Sequence, residues 1–318
     1  VNILFSFLKP LRNARSSWYN EQRGNPMSRI ANQWKDYTCF DAGNGEKLEQ
    51  WKGIVLRRPD PQAIWPANQN TSLWQETDAI YHRSDKGGGH WEYRKKLPES
   101  WTINYKDLTF KVSPTGFKHT GLFPEQAVNW DWMSDLIKKY PNEEIRVLNL
   151  FAYTGGATMA CAKAGAAEVV HVDASKGMVQ WAKENRDLCG LQNNKIRFIV
   201  DDCLKFVERE KRRGHTYHGI LMDPPSYGRG PNGEMWKFEK EVTKLIQACA
   251  EILDKDALFF LINSYTTGFS SIVLDNTLRT MILPDHPNGI VETGEIALPI
   301  ANRDLLLPCG IYGSWQRK

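Results

Sequence analysis

Ile145-Arg-Val-Leu-Asn-Leu-Phe-Ala-Tyr-Thr-Gly-Gly156, followed after a small-residue stretch by Glu168-Val-Val-His-Val-Asp173, decides the fold. Ile145 to Leu150 and Glu168 to Asp173 are short, β-branched apolar runs of strand length, and Gly156 to Gly165 between them has the composition of a closely packed helix. The rhythm continues downstream. Ser175 caps a helix running to about Cys189, with Val179, Ala182 and Leu188 on an inward stripe and Lys183 and Arg186 outward. Ile196 to Asp201 is a third strand, Leu204 to about Arg213 a charged helix, and Gly219 to Asp223 a fourth strand. After a loop from Pro224 to Gly233 come a helix to Leu253, a strand Ala257 to Asn263 and a helix near Ser270 to Met281. Alternation of this kind makes a mainly parallel sheet with helices on both faces, an α/β fold of Rossmann-like type. Gly289 to Leu298 and Gly310 to Trp315 are expected to complete the sheet edge as a hairpin-like pair.

Upstream the rhythm differs. From about Trp34 to Pro114 the chain has short alternating segments, such as Ile54-Val-Leu-Arg-Arg and Trp101-Thr-Ile-Asn-Tyr, broken by Asn44-Gly45, Arg58-Pro59-Asp60-Pro61 and Gly87-Gly88-Gly89. Three units follow: a basic extension over 1–30, a small β-rich domain over 31–115, and the α/β domain over 116–318. The first two and the start of the third hold Trp18, Trp34, Trp51, Trp65, Trp74, Trp91, Trp101, Trp130 and Trp132. With Arg57-Arg58, Arg83, Lys86 and Arg94-Lys95-Lys96, these rings suit either nucleic-acid docking by charge and stacking or the filling of a small core.

Composition narrows the classes. The balance of 41 Lys+Arg against 37 Asp+Glu gives +4, a mild basicity compatible with a nucleic-acid partner but not demanding one. Cys39, Cys161, Cys189, Cys203, Cys249 and Cys309 are scattered, without a C-x-x-C pair or a histidine at ligand spacing, so neither a metal site nor a disulfide framework is expected. No apolar stretch approaches the roughly 20 residues of a membrane span. The extension carries Lys9, Arg12, Arg15, Arg23 and Arg29 against Glu21 alone, with interspersed serines. That pattern fits a mitochondrial transit segment, an RNA-docking arm or a solvated tail, and otherwise a bacterial cytoplasmic location is expected. Oligomeric state is not legible.

In an open parallel sheet, ligands bind beyond the carboxyl ends of the strands, so the strand exits are where chemistry is sought. The first exit reads Asn149-Leu-Phe-Ala-Tyr-Thr-Gly155, whose small residues let backbone approach a ligand. The second strand ends in Asp173, about 20 residues on, where a carboxylate can accept two hydrogen bonds from a ribose diol, in a dinucleotide or in another adenosine cofactor. The fourth strand ends in Asp223-Pro224-Pro225-Ser226-Tyr227. Two prolines fix φ and remove two donors, leaving the carbonyls of Asp223 and Pro224 free for the cleft, with Tyr227 placed to stack on a planar base.

That quintet resembles the (Asp/Asn)-Pro-Pro-aromatic motif of methyltransferases that modify amino groups or ring atoms of nucleobases, with one inserted serine. With Asn149 to Gly155, His171-Val-Asp-Ala-Ser-Lys176 and Asp201-Asp202, the chain resembles bacterial S-adenosylmethionine-dependent methyltransferases related to those of large-subunit ribosomal RNA. The likeness extends to Thr38-Cys-Phe-Asp-Ala-Gly-Asn-Gly-Glu-Lys47, Arg83-Ser-Asp-Lys-Gly-Gly-Gly89 and Phe117-Lys-His-Thr-Gly-Leu-Phe-Pro-Glu-Gln126. It implies a seven-stranded methyltransferase sheet with S-adenosylmethionine as cofactor and RNA as partner. It further implies roles: Asn149, Phe151, Ala152, Tyr153, Thr154 and Gly155 at the methionine part, Asp173, Ala174 and Ser175 at the ribose, and Asp202 and Cys203 at the adenine. Phe123 and Gln126 would close over the cofactor, and Asp223, Pro224, Pro225 and Tyr227 would face the methyl acceptor.

One departure bears on mechanism. Relatives that methylate pyrimidine carbon 5 place a nucleophilic cysteine after the fifth strand, where this chain has Asn263-Ser264-Tyr265-Thr266. Direct transfer to the acceptor is therefore expected, with Trp236 a second ring for the base and Arg229 and Lys237 available to phosphate. Two other readings remain open at this stage: a ribonucleoprotein assembly component that keeps the fold without turnover, and an NAD-dependent oxidoreductase. The latter lacks a G-x-G-x-x-G run.

Overall fold

The computed structural model describes residues 28–68, 72–84, 88–229, 235–301 and 303–318. The expectations for the extension, apart from its last residues, for Trp18 and for Lys86 lie outside these. In chain order the strands begin with β1 (Arg29–Ile30), β2 (Tyr37–Gly43), β3 (Glu46–Trp51), β4 (Ile54–Pro59), β5 (Ala79–Arg83), β6 (Gly89–Tyr93), β7 (Trp101–Tyr105) and β8 (Leu108–Val112). The alternating part follows as α1 (Ala127–Lys138), β9 (Arg146–Leu150), α2 (Gly156–Lys163), β10 (Glu168–Asp173), α3 (Lys176–Leu188), β11 (Ile196–Val200), α4 (Cys203–Arg212) and β12 (Gly219–Met222). Then come β13 (Tyr227–Arg229), β14 (Met235–Lys237), α5 (Phe238–Ala250), β15 (Phe259–Ser264), α6 (Ser271–Met281), β16 (Gly289–Ile300) and β17 (Leu305–Arg317).

The sheet runs β11-β10-β9-β12-β15-β17-β16-β2-β3-β4-β5-β6. Its first five strands are parallel to their neighbours, and β17 enters antiparallel to both β15 and β16. These seven strands, to β16, are the expected α/β sheet, and β12 and β15 are buried along their whole length, as strands covered on both faces must be. The expectation that the last two strands form an edge is corrected. β16 is parallel to β2, pairing Ile300 with Cys39, and Ala301 N–H donates to Cys39 O at 2.8 Å, so the N-terminal strands continue the same sheet.

The apolar core crosses that junction too. On one face Trp34, Tyr37, Trp51 and Phe110 share a cluster with Trp130, Met133 and Phe259, while Leu148, Phe206, Phe238 and Phe260 fill the other. The hairpin β7–β8 lies on α3, where Asn185 accepts from Lys111 N–H and donates to Thr154 O. That explains why Asn185 is buried at the position of the inward stripe expected for Leu188, which is exposed.

The tryptophans resolve as core. Trp34, Trp51 and Trp130 are buried, and Trp65, Trp91 and Trp101 donate their indole N–H groups to the carbonyls of Ala42, Thr115 and Trp51. The last three rings pack against the first core cluster. Much of the expected docking charge is also used internally: Arg57 pairs with Glu46, Arg58 with buried Glu49, and Lys95 with Asp78.

Candidate functional site

The exits of β9, β10, β12 and β15 open onto one cavity of about 1130 Å³. The loop after β9 is wound unusually. Phe151 and Tyr153 sit at φ 54° and 51° and Gly155 at 85°, a conformation that non-glycine side chains rarely adopt. Ala152 N–H donates to Val172 O and Tyr153 N–H to Asp173 Oδ2, while Gly155 is the N-cap of α2. Phe151 N–H meets Cys203 Sγ at 3.3 Å. The turn is thus fastened to β10 and to the start of α4.

Asp173 is the hinge of this arrangement. Its Oδ2 accepts from Tyr153 N–H at 2.9 Å and its Oδ1 from Ser175 N–H at 2.8 Å. A carboxylate has about four acceptor sites, so two remain for a diol in the cavity it lines. Burial pushes its pKa upward, and the two backbone donors pull against that. The N-cap of α3 is Ser175, which accepts from Met178 N–H, so Asp173 is not consumed as a cap. Asp202 does cap α4, accepting from Lys205 N–H at 2.9 Å, and lines the cavity beside Cys203.

Phe151, Tyr153, Phe123, Asp173, Ala174, Ser175, Asp202, Cys203, Asp223, Pro224 and Pro225 all line the cavity as expected. Six expected residues do not. Asn149 Nδ2 donates to Thr158 Oγ1, which also meets His171, in a buried polar string beneath the loop. Thr154 Oγ1 donates to Gly121 O, tying the loop to the segment that carries Phe123. Ala152 is buried behind the loop and Gly155 turns it. Gln126 Nε2 donates to Tyr265 Oη at 2.6 Å, so it positions a wall residue from behind. These are supports.

Tyr227 is the sixth, and it stands apart from the other five. Its ring is 52% exposed on β13, with the hydroxyl 3.1 Å from Met235 Sδ, outside the cavity lining. The loop after Pro225 folds into an antiparallel ribbon in which Tyr227 pairs with Lys237 and Gly228 with Trp236. Successive strand residues point to opposite faces, so Trp236 takes the inward place. Its indole N–H donates to Pro225 O at 2.6 Å and its ring lies 5.0 Å from that of Phe151.

At the end of β12, Asp223 lines the cavity with its Oδ1 without a hydrogen-bond partner. Burial pushes its carboxyl up to about 7, and Glu125 adds to the effect. Glu125 and Tyr265 were not foreseen. Buried Glu125 accepts from Tyr265 Oη at 3.4 Å, and its own pKa is raised by burial. They meet only in space, across 140 residues of sequence. No group of three or more His, Cys, Asp or Glu able to hold a metal occurs among the described residues, and no described helix is long and apolar enough to cross a membrane.

A cavity of this size, with a carboxylate that keeps acceptor sites free at a strand end and aromatic walls from Phe123, Phe151 and Tyr153, fits an adenosine cofactor. Comparison with known proteins agrees. The chain is 37% identical to the SAM-dependent methyltransferase of Agrobacterium tumefaciens, whose crystal structure it matches with a TM-score of 0.87 over 92% of this chain and 94% of that one. It is 27% identical over 242 residues to ribosomal RNA large subunit methyltransferase K of Neisseria meningitidis serogroup B, covering 74% of this chain and 66% of the relative. It is 32% identical over 156 residues to methyltransferase K/L of Shewanella frigidimarina, covering 49% of this chain and 21% of the relative. The chain therefore spans about a fifth of the K/L protein and just under two thirds of the K protein. Residues 37–283, which take in β2 to β8 and most of the cavity lining, match the family model for S-adenosylmethionine-dependent methyltransferases, and the chain belongs to that family.

Proposed function

We propose that this enzyme methylates a nucleobase of RNA, ribosomal RNA first, by direct transfer without a covalent enzyme–base bond. Its setting would then be the bacterial cytoplasm, as for the bacterial proteins it resembles. S-adenosylmethionine, when bound, supplies an electrophilic methyl group on a sulfonium. The observation that carries the acceptor reading is Asp223: a carboxyl at the cavity wall beside two rigid prolines, with one buried oxygen left without a partner. Leaving such a group unsatisfied costs about 1–3 kcal/mol, a cost hard to explain in a protein that no longer turns over.

Asp223 would accept a hydrogen bond from an N–H of the acceptor base, fixing the nitrogen for in-line attack and holding its departing proton. Trp236, braced by Pro225 and Phe151, would stack the base, and the apolar walls exclude water. Cys203 and Cys309 line the cavity, but burial pushes both thiols well above their ordinary range, which removes the thiolate a covalent route needs.

The test is transfer of labelled methyl from S-adenosylmethionine to ribosomal RNA from cells lacking this protein, read by mass spectrometry of nucleosides. We expect one methylated nucleoside to appear in the RNA. Bound cofactor with no RNA methylated would move the acceptor to a protein or small molecule.

A further inference from the structure

Behind Phe123 the same cavity continues to residues that neither the ribose carboxylate nor the base ring explains. Lys47 from β3, Arg58 from β4, and Lys118 and His119 from the loop after β8 all line it. The His119 and Phe123 rings are 5.2 Å apart, as are those of Phe123 and Tyr153, so this end adjoins the cofactor loop. We infer that Lys118, with Arg58, Lys47 and His119 around it, forms a subsite for a carboxylate or phosphate oxyanion.

Lys118 is the cation that the pairings at this end leave over. Arg58 is spent on Glu49 through Nε and Nη2, and its Nη1 donates to Lys118 O at 2.6 Å, which fixes the backbone of that loop. Lys47 Nζ lies 3.4 Å from both Glu49 and Asp60. Glu49 and Asp60 thus answer Lys47 and Arg58, and buried Glu125 in the same cavity acts on both. The ammonium of Lys118 has no hydrogen bond or ion pair among the described residues, although it is half-buried beside them. Burial, then Lys47, Arg58 and Arg83, lower its pKa, while Asp60 pulls the other way. His119 is kept neutral by burial and the same neighbours, so it offers one N–H without demanding a counter-charge. An entering oxyanion would meet a preformed donor set and relieve the repulsion.

Two sources carry that chemistry. The α-carboxylate of the cofactor is one, and a phosphate of the acceptor, which rests on the RNA reading above, is the other. Two calorimetric arms separate them, using Lys118→Gln with Lys118→Arg as the charge-retaining control. If the cofactor supplies the anion, Lys118→Gln weakens S-adenosylhomocysteine binding about tenfold or more and leaves methylthioadenosine, which lacks the amino-acid part, unchanged. If the acceptor supplies it, protein saturated with S-adenosylhomocysteine binds inorganic pyrophosphate at low ionic strength, Lys118→Gln loses that binding about tenfold, and Lys118→Arg retains it. Neither arm contains RNA, so a failure to methylate RNA leaves both readable. Lys118→Gln indistinguishable from the parent in both arms overturns the subsite.

Discussion

Asp173 and Asp223 stand at the ends of strands whose neighbours bury them, and in both burial raises the pKa. Their partners differ. Two backbone N–H groups hold Asp173 in its charged form, so Asp173→Ala should weaken cofactor binding more than about tenfold by calorimetry, with part of the loss coming from the unfastened loop. Asp223 has no such donors at Oδ1. With its carboxyl at about 7, kcat/KM should rise through an apparent pKa near that value, and Asp223→Asn should flatten the profile as well as lower it. Stability runs the opposite way. The folded protein holds a proton on Asp223 that the unfolded chain releases at about 3.8, so this group's contribution falls as pH rises from about 4 to above 7. Asp223→Asn should lack that fall, and melting temperatures measured across the window would show the parent and variant diverging as pH rises. Both aspartates were legible in sequence because a strand end followed by Ser or by Pro-Pro is a local pattern. Glu125, Tyr265 and Lys118 had no such pattern; packing alone assembles them.

At the scale of elements, the ribbon β13–β14 decides which ring faces the cavity. Counting past two prolines pointed to Tyr227, but strand pairing alternates faces and gives the place to Trp236. Trp236→Ala should therefore reduce turnover on RNA roughly ten- to a hundredfold, the worth of a lost stacking contact, while Tyr227→Ala stays within about threefold. A larger loss for Tyr227 would return that ring to the site. The segment from Thr120 to Gln126 is fastened just as tightly. Trp34 Nε1 donates to Pro124 O, and Gly121, at φ 91°, has so little room that a Cβ would come within 2.3 Å of the Trp181 ring. Gly121→Ala should destabilise by about 2–3 kcal/mol in urea unfolding and weaken the cofactor, since its carbonyl anchors Thr154. The elements themselves followed from periodicity, because buried parallel strands are continuous apolar runs whichever neighbours they acquire.

For the molecule as a whole, composition separates a β-rich stretch at 31–115, but one sheet and one apolar cluster pass through its junction with the rest. The pairing of β2 with β16 joins residues some 260 positions apart, and no local signal announces it. We expect a single calorimetric unfolding transition, and residues 31–115 expressed alone should not fold, because half their core would face water. Cys39, Cys161, Cys189 and Cys249 are buried away from the cavity, so a thiol reagent should titrate none of these four until that transition and all four after it.

The place of β17 has a consequence for how the protein is made. It lies between β15 and β16, though it follows both in the chain. Until Leu305–Arg317 has left the ribosome, both neighbours present open edges, and the two halves of the sheet can only wait. Nascent chains stalled before this strand should engage chaperones, and emergence of Leu305–Arg317 should let the two halves of the sheet join in one step.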